Sequence, residues 1–98
     1  MAFLKKFMKN ALMIELRNAG LNVQAQTPVE VRYENQIVGE YCPDIIVENS
    51  VIVELKAVDN IDKSHYRQCI NYLAATEYKL CLLVNFGREK AQIKRVVL

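Results

Sequence analysis

Apolar residues open the chain at the spacing of one helix face, with Leu4, Met8, Leu12, Leu16 and Ala19 in register and Phe3 and Phe7 widening the stripe. Gly20 follows as a C-terminal stop, so the pattern predicts a helix from Phe3 to Ala19. The helical pattern is already running at Phe3 with no capping residue before it, so the sequence is expected to start inside an element. The period then changes to two. Pro28 opens Val29 to Tyr33, Glu34-Asn35 suits a tight turn, and Gln36 to Tyr41 returns as the second arm of a hairpin. Pro43 interrupts before Asp44 to Val47, and Glu48-Asn49-Ser50 turns the chain into Val51 to Ala57. Successive antiparallel strands are the simplest reading of this stretch.

Asp59-Asn60-Ile61-Asp62 is a polar break containing two candidate N-caps. After it Tyr66, Cys69, Ile70 and Leu73 fall at i, i+3, i+4 and i+7, which predicts a second helix. Tyr78 to Asn85 is a nearly continuous apolar run ending near Gly87, and Ile93 to Leu98 alternates weakly as a final strand. The class is therefore α/β with an α+β element order. If Leu80 to Val84 pairs in parallel with Val51 to Leu55, the second helix is the crossover between them and the sheet is mixed.

Ninety-eight residues allow one domain, 1–98, with one core that buries roughly 60 to 65% of the extended-chain surface. So small a domain gains from pairing with a second copy, and a homodimer is one expectation. Thirteen basic residues against eleven acidic give a formal charge of +2, which excludes a polybasic-tail mode of nucleic-acid binding. Cys42, Cys69 and Cys81 are an odd number without metal-ligand spacing, which predicts reduced thiols and a cytoplasmic location. No apolar run approaches the roughly 20 residues of a membrane span, so no membrane partner is expected.

Charge inside an apolar strand is the informative feature. In Val51-Ile52-Val53-Glu54-Leu55-Lys56-Ala57, period two puts Ile52, Glu54 and Lys56 on one face and Val51, Val53 and Leu55 on the other. Glu54 and Lys56 then share a side, either as an ordinary ion pair at a solvent-facing strand end or as part of a site. Pairing across Glu48-Asn49-Ser50 brings Val47 to Val51 and Asp44 to the neighbourhood of Glu54, within one residue of slip. Two carboxylates and a backbone carbonyl, with water completing the shell, suit Mg²⁺ or Mn²⁺, and Lys56 could orient a water beside them. Asp44 reads equally as a turn-capping carboxylate. His65, Gln68 and Tyr72 form a stripe on the second helix beside the apolar one, with His65 also suited to a helix-start role. Asn85 and Gly87 read as a turn using unusual dihedrals, and Lys79, Arg88, Lys90, Lys94 and Arg95 as basic surface. Zinc is not expected, because no two Cys or His residues have ligand spacing.

Asp44, Glu54-Leu55-Lys56 and Gln68-Cys69-Ile70-Asn71-Tyr72 together resemble the PD-(D/E)XK nuclease superfamily with the RecB-like Gln-x-x-x-Tyr addition. The wider run is similar to small prokaryotic proteins of the GxxExxY family. It goes from Ala11-Leu12 and Glu15-Leu16 through Gly39-Glu40-Tyr41, Asp44, Val51 to Ala57, His65, Gln68, Tyr72-Leu73 and Leu83 to Gly87, ending at Lys94-Arg95. The resemblance implies a restriction-endonuclease-like core, a mixed sheet flanked by two main helices. It implies Asp44, Glu54 and the Leu55 carbonyl as ligands of Mg²⁺ or Mn²⁺, Lys56 as the catalytic lysine, and Gln68 and Tyr72 as helix-borne catalytic companions. Glu15 and His65 would be accessory. The implied activity is hydrolysis of phosphodiester bonds in nucleic acid, DNA before RNA. The alternative is a silent nuclease fold that binds nucleic acid or a protein. One departure bears on the choice: the family's glycine, glutamate and tyrosine positions carry Ala2, Lys5 and Met8 here, so an acid on the first helix is replaced by a base. The start is also expected to be shortened relative to the family.

Overall fold

The computed structural model describes the backbone of residues 2–98 and the side chains from Lys5 onward, so Phe3 and Leu4 of the apolar stripe lie outside the described side chains. Helix α1 (Ala2–Asn18) leads into β1 (Val23–Ala25), β2 (Val29–Tyr33), β3 (Gln36–Tyr41), β4 (Ile45–Val47) and β5 (Val51–Lys56). Then come α2 (Lys63–Ala75), β6 (Leu80–Asn85) and β7 (Gln92–Val97). Five strands form a mixed sheet in the order β1-β4-β5-β6-β7, in which β5 and β6 are parallel and the other pairs antiparallel. Helix α2 is the connection between the two parallel strands, so the condition under which the sequence made it a crossover is met.

The expected run of antiparallel strands is corrected in one respect. β2 and β3 pair with each other in a separate two-stranded sheet, and β4 is flanked instead by β1. Both arms of the hairpin are largely exposed, so they lack the two apolar faces a place within the covered sheet requires. β1 has only three residues, too few for alternation to show in the sequence, yet its Val23 is buried. The hairpin turn follows its predicted position: Glu34 and Asn35 both take positive φ, 49° and 63°, the pairing of dihedrals whose twist matches the strands.

Helix α1 closes at Gly20, with φ of 86°. The Gly20 N–H bonds the Arg17 carbonyl at 2.9 Å and the Leu21 N–H bonds the Leu16 carbonyl at 3.1 Å, which satisfies carbonyls the helix would leave orphaned. Helix α2 starts at the N-cap Asp62, whose side chain accepts from the Ser64 hydroxyl and from the Ser64 and His65 N–H groups, and these bonds, the hydroxyl's foremost, hold its carboxyl below the usual range.

Two cores lie on opposite faces of the sheet. On the α1 side Met13, Val23, Ile45, Val53, Leu55 and Val84 are buried together, with Leu12 and Leu16 against them. On the α2 side the buried set is Ile52, Cys69, Leu73, Cys81, Leu83 and Val96. β5 contributes alternate residues to both, as period two requires. The α1 stripe is narrower than its pattern suggested, since Phe7 is half exposed. Among the described residues no helix is long and apolar enough to cross a membrane.

Candidate active site

The β4–β5 turn sets the geometry. Glu48 and Asn49 take positive φ, and Val47 pairs with Val51, Ile46 with Ile52 and Ile45 with Val53. Continuing that register puts Asp44 opposite Glu54. The Asp44 Oδ2 accepts the Leu55 N–H at 2.8 Å, which fixes the carboxylate against the part of β5 that runs past the end of β4. Because a strand residue presents its N–H and C=O to the same neighbour, the Leu55 carbonyl faces the Asp44 side as well. Lys56 is the last residue of β5 and pairs with Asn85, the last of β6. The group therefore stands at the carboxyl ends of the two parallel strands, where open α/β sheets place ligands.

Asp44 has a second partner. The Lys5 ammonium, from the first turns of α1, lies 3.2 Å from Asp44 Oδ2. Lys5, a base where the resemblance drawn from the sequence expects an acid, is thus in contact with the first candidate metal ligand.

Glu54 is 8% exposed and sits on the α2 face. Burial pushes its carboxyl above the usual range and the neighbouring Asp44 adds to the shift, while a hydrogen bond from the Tyr41 hydroxyl to Oε1 and the Lys56 charge oppose it. Tyr41 comes from the last position of β3, so the hairpin reaches over the α2 side of the sheet to cap Glu54. Its ring stacks on Tyr72 of α2, with centroids 3.8 Å apart and planes 18° from parallel. Burial and Glu54 together push the Tyr41 phenol far upward, which keeps it a donor to the carboxylate at any ordinary pH. The Tyr72 phenol is raised by burial and by Glu54, with a Gln68 hydrogen bond lowering it. Tyr41 was not singled out in the sequence as a site residue. Its only signal was the Gly39-Glu40-Tyr41 run, because a hairpin's path across the sheet leaves no mark in a period-two pattern.

Of the other candidates, Tyr72 stacks on Tyr41, and Gln68 reaches the group only through its hydrogen bond with Tyr72. His65 and Glu15 do not join it by any described contact. His65 Nδ1 accepts the Asp62 N–H at 3.0 Å, which completes the capping box of α2. Glu15 is exposed, about 15 Å along α1 from Lys5 at the rise of a helix.

Asn85 and Gly87 correct the turn reading, since neither has positive φ. Asn85 is fully buried and acts as a clamp. Its Oδ1 accepts the N–H groups of Val58 and Gly87, each at 2.9 Å, and its Nδ2 donates to the Val58 carbonyl at 2.8 Å and to Gln92 Oε1 at 2.9 Å. A Cβ on Gly87 would stand 2.1 Å from the Val58 carbonyl oxygen, so only glycine permits this approach. With the Phe86 N–H on the Lys56 carbonyl at 2.8 Å, the strand ends that carry Lys56 are tied together.

Among the described residues no cluster of three His, Cys, Asp or Glu side chains is gathered for a metal ion. The available donors are the two carboxylates and the Leu55 carbonyl, all hard oxygens of the kind a magnesium-class ion accepts with water completing the shell. The donor chemistry fits such an ion, with the Lys5 ammonium as an internal competitor at Asp44.

A model of the PD-(D/E)XK nuclease superfamily matches residues 1–96, and the chain belongs to that superfamily. No curated protein matches it. Among solved structures it is similar to the crystal structure of SSO0001, at 17% identity and a TM-score of 0.73 over 98% of this chain and 50% of that one. It is also similar to an alkaline exonuclease, LHK-Exo, from Laribacter hongkongensis, at 15% identity and a TM-score of 0.67 over 94% of this chain and 55% of that one. The chain spans about half the length of each. These likenesses show a shared restriction-endonuclease-like fold.

Proposed function

We propose that the chain is a divalent-cation-dependent nuclease domain that hydrolyses phosphodiester bonds of nucleic acid, DNA before RNA, and that it belongs to the GxxExxY branch of its superfamily. The observation that carries the reading is that Asp44, bonded to the Leu55 N–H, and Lys56 both act electrostatically on the buried Glu54 near the carboxyl end of β5. Superfamily membership and the likeness to an exonuclease support it.

Asp44, Glu54 and the Leu55 carbonyl would hold Mg²⁺ or Mn²⁺, which when bound supplies Lewis acidity for the scissile phosphate. Lys56 would orient the attacking water and balance negative charge that develops on the phosphate. Tyr41 and Tyr72 form an aromatic wall behind Glu54, and Gln68 offers an amide to the substrate from the exposed face of α2. Free Cys42, Cys69 and Cys81 support a cytoplasmic location.

The test is release of nucleotides from DNA and RNA in Mn²⁺ or Mg²⁺, alongside calorimetric titration of Mn²⁺. Cleavage that is lost with Mn²⁺ binding in Glu54→Ala, and lost without it in Lys56→Met, is the expected result. A wild-type chain that cleaves neither polymer refutes the hydrolytic reading. A second reading, a silent nuclease fold, is favoured by the Lys5–Asp44 ion pair and by the Tyr41 cap on Glu54. It predicts no Mn²⁺ binding in the wild type.

A further inference from the structure

Positive charge is concentrated on one helix. Lys5, Lys6, Lys9 and Arg17 against Glu15 give α1 a charge of +3, more than the +2 of the whole chain, so the rest of the chain sums to −1. Three lysines stand in the N-terminal half of α1, whose first turn holds no acid. That is the end where the helix dipole disfavours cations, so local preference is overridden there.

The tertiary structure turns these residues into a track. Lys5, Lys6 and Lys9 line a recess of about 270 Å³ whose other wall is Asp44. Lys6 and Lys9 continue into a second recess of about 530 Å³ with Asn10, Arg17 and Gln26. Positions 6, 9, 10, 13 and 17 share one helical face, and Glu15 lies half a turn away from Lys6 on the other. Among the described residues neither Lys6, Lys9 nor Arg17 has a carboxylate partner. From Lys6 to Arg17 the track runs about 16 Å, several phosphate spacings of a nucleic-acid strand.

We propose that this face of α1 binds the sugar–phosphate backbone of a nucleic-acid strand, with the Lys5–Lys6–Lys9 recess seating a phosphate next to Asp44. The inference rests on the nuclease reading and extends it, since it names the surface along which the strand leaves the candidate catalytic group. Recognition is chiefly by charge, from Lys6, Lys9 and Arg17, so binding should be strongly salt-dependent.

The test is fluorescence anisotropy of a labelled single-stranded deoxyoligonucleotide in EDTA, where binding is read without hydrolysis. Wild type, K6Q, K9Q, K6Q/K9Q, K6R/K9R and K79Q are compared over a salt series, with circular dichroism confirming the fold. Lys79 lies beside the start of β6, at the opposite end of that strand from Lys56's partner Asn85. K6Q/K9Q should lose about tenfold in affinity at low salt, and its salt slope should fall by about 1 to 2, while K6R/K9R and K79Q bind as wild type. Absence of salt-dependent binding in the wild type overturns the proposal, as does an equal loss in K79Q or in K6R/K9R. Binding that follows this pattern without Mn²⁺-dependent cleavage supports the track and sinks only the hydrolytic reading. Cleavage with K6Q/K9Q binding unchanged sinks the track alone.

Discussion

The two faces of β5 differ in what keeps each of them buried. Toward α1, Val53 and Leu55 are buried in an apolar cluster with Met13, Val23, Ile45 and Val84. Toward α2, Ile52 is equally buried, but the next residue on that face is Glu54 and the one after it Lys56. The apolar face loses free energy only through packing, at about 1.5 to 3 kcal/mol per large aliphatic side chain. The polar face depends on partners: Glu54 survives burial because Tyr41 donates to it and Lys56 lies near. Apolar side chains of similar volume generally serve a core as well, so the buried carboxylate is not a source of stability.

Five substitutions probe the contrast. Leu55→Ala should cost about 2 to 5 kcal/mol in urea unfolding, as a fully buried aliphatic side chain does, and a smaller loss would mean the α1 face is less tightly packed than its burial indicates. Asn85→Ala should cost about 2 to 3 kcal/mol, because it strands both backbone groups of Val58 and the Gly87 N–H. The same assay would read a near-neutral outcome if the clamp were dispensable.

On the polar face the effects depend on pH. Glu54 has a raised carboxyl, so its protonated form favours the fold. The associated stability is fully present below the usual Glu range and is lost as pH rises through the raised folded value. Glu54→Gln should remove that loss and melt at a higher temperature than wild type at alkaline pH. Tyr41→Phe, which deletes the donor that opposes the shift, should cost about 1 to 2 kcal/mol and move the loss to higher pH. Parallel thermal melts across pH in all three proteins decide this, and superimposable profiles would show that Glu54 is not desolvated. The smallest effect on stability is expected for Lys5→Gln, under about 1 kcal/mol for an ion pair whose lysine is 37% exposed. Its Mn²⁺ affinity should nonetheless rise severalfold, since the competing ammonium is gone; unchanged calorimetric affinity would remove Lys5 from the site.

Where the sequence was legible, one repeating signal was long enough to read. The two helices, the strands β5 and β6 and the Glu34-Asn35 hairpin turn each announced themselves through periodicity or turn chemistry, whereas the parallel pairing of β5 with β6 was only a condition until the structure met it. The Asp44–Glu54 juxtaposition was legible too, because a short turn between two strands fixes register almost arithmetically. β1 was missed because three residues carry no period, and the hairpin's exclusion from the main sheet was missed because pairing partners are a global choice.

By itself, then, the sequence determined which residues alternate, where the chain must turn, and that Glu54 and Lys56 share a face. Those are local consequences of backbone geometry. Only the tertiary structure decided that Tyr41 caps Glu54, that Lys5 sits on Asp44, and that Asn85 clamps Val58. Each of these contacts joins residues 13 to 39 positions apart in the chain, a separation over which no residue pattern fixes direction. Such partners are selected when buried polar groups find the nearest donor or counter-charge, and that selection is made by packing.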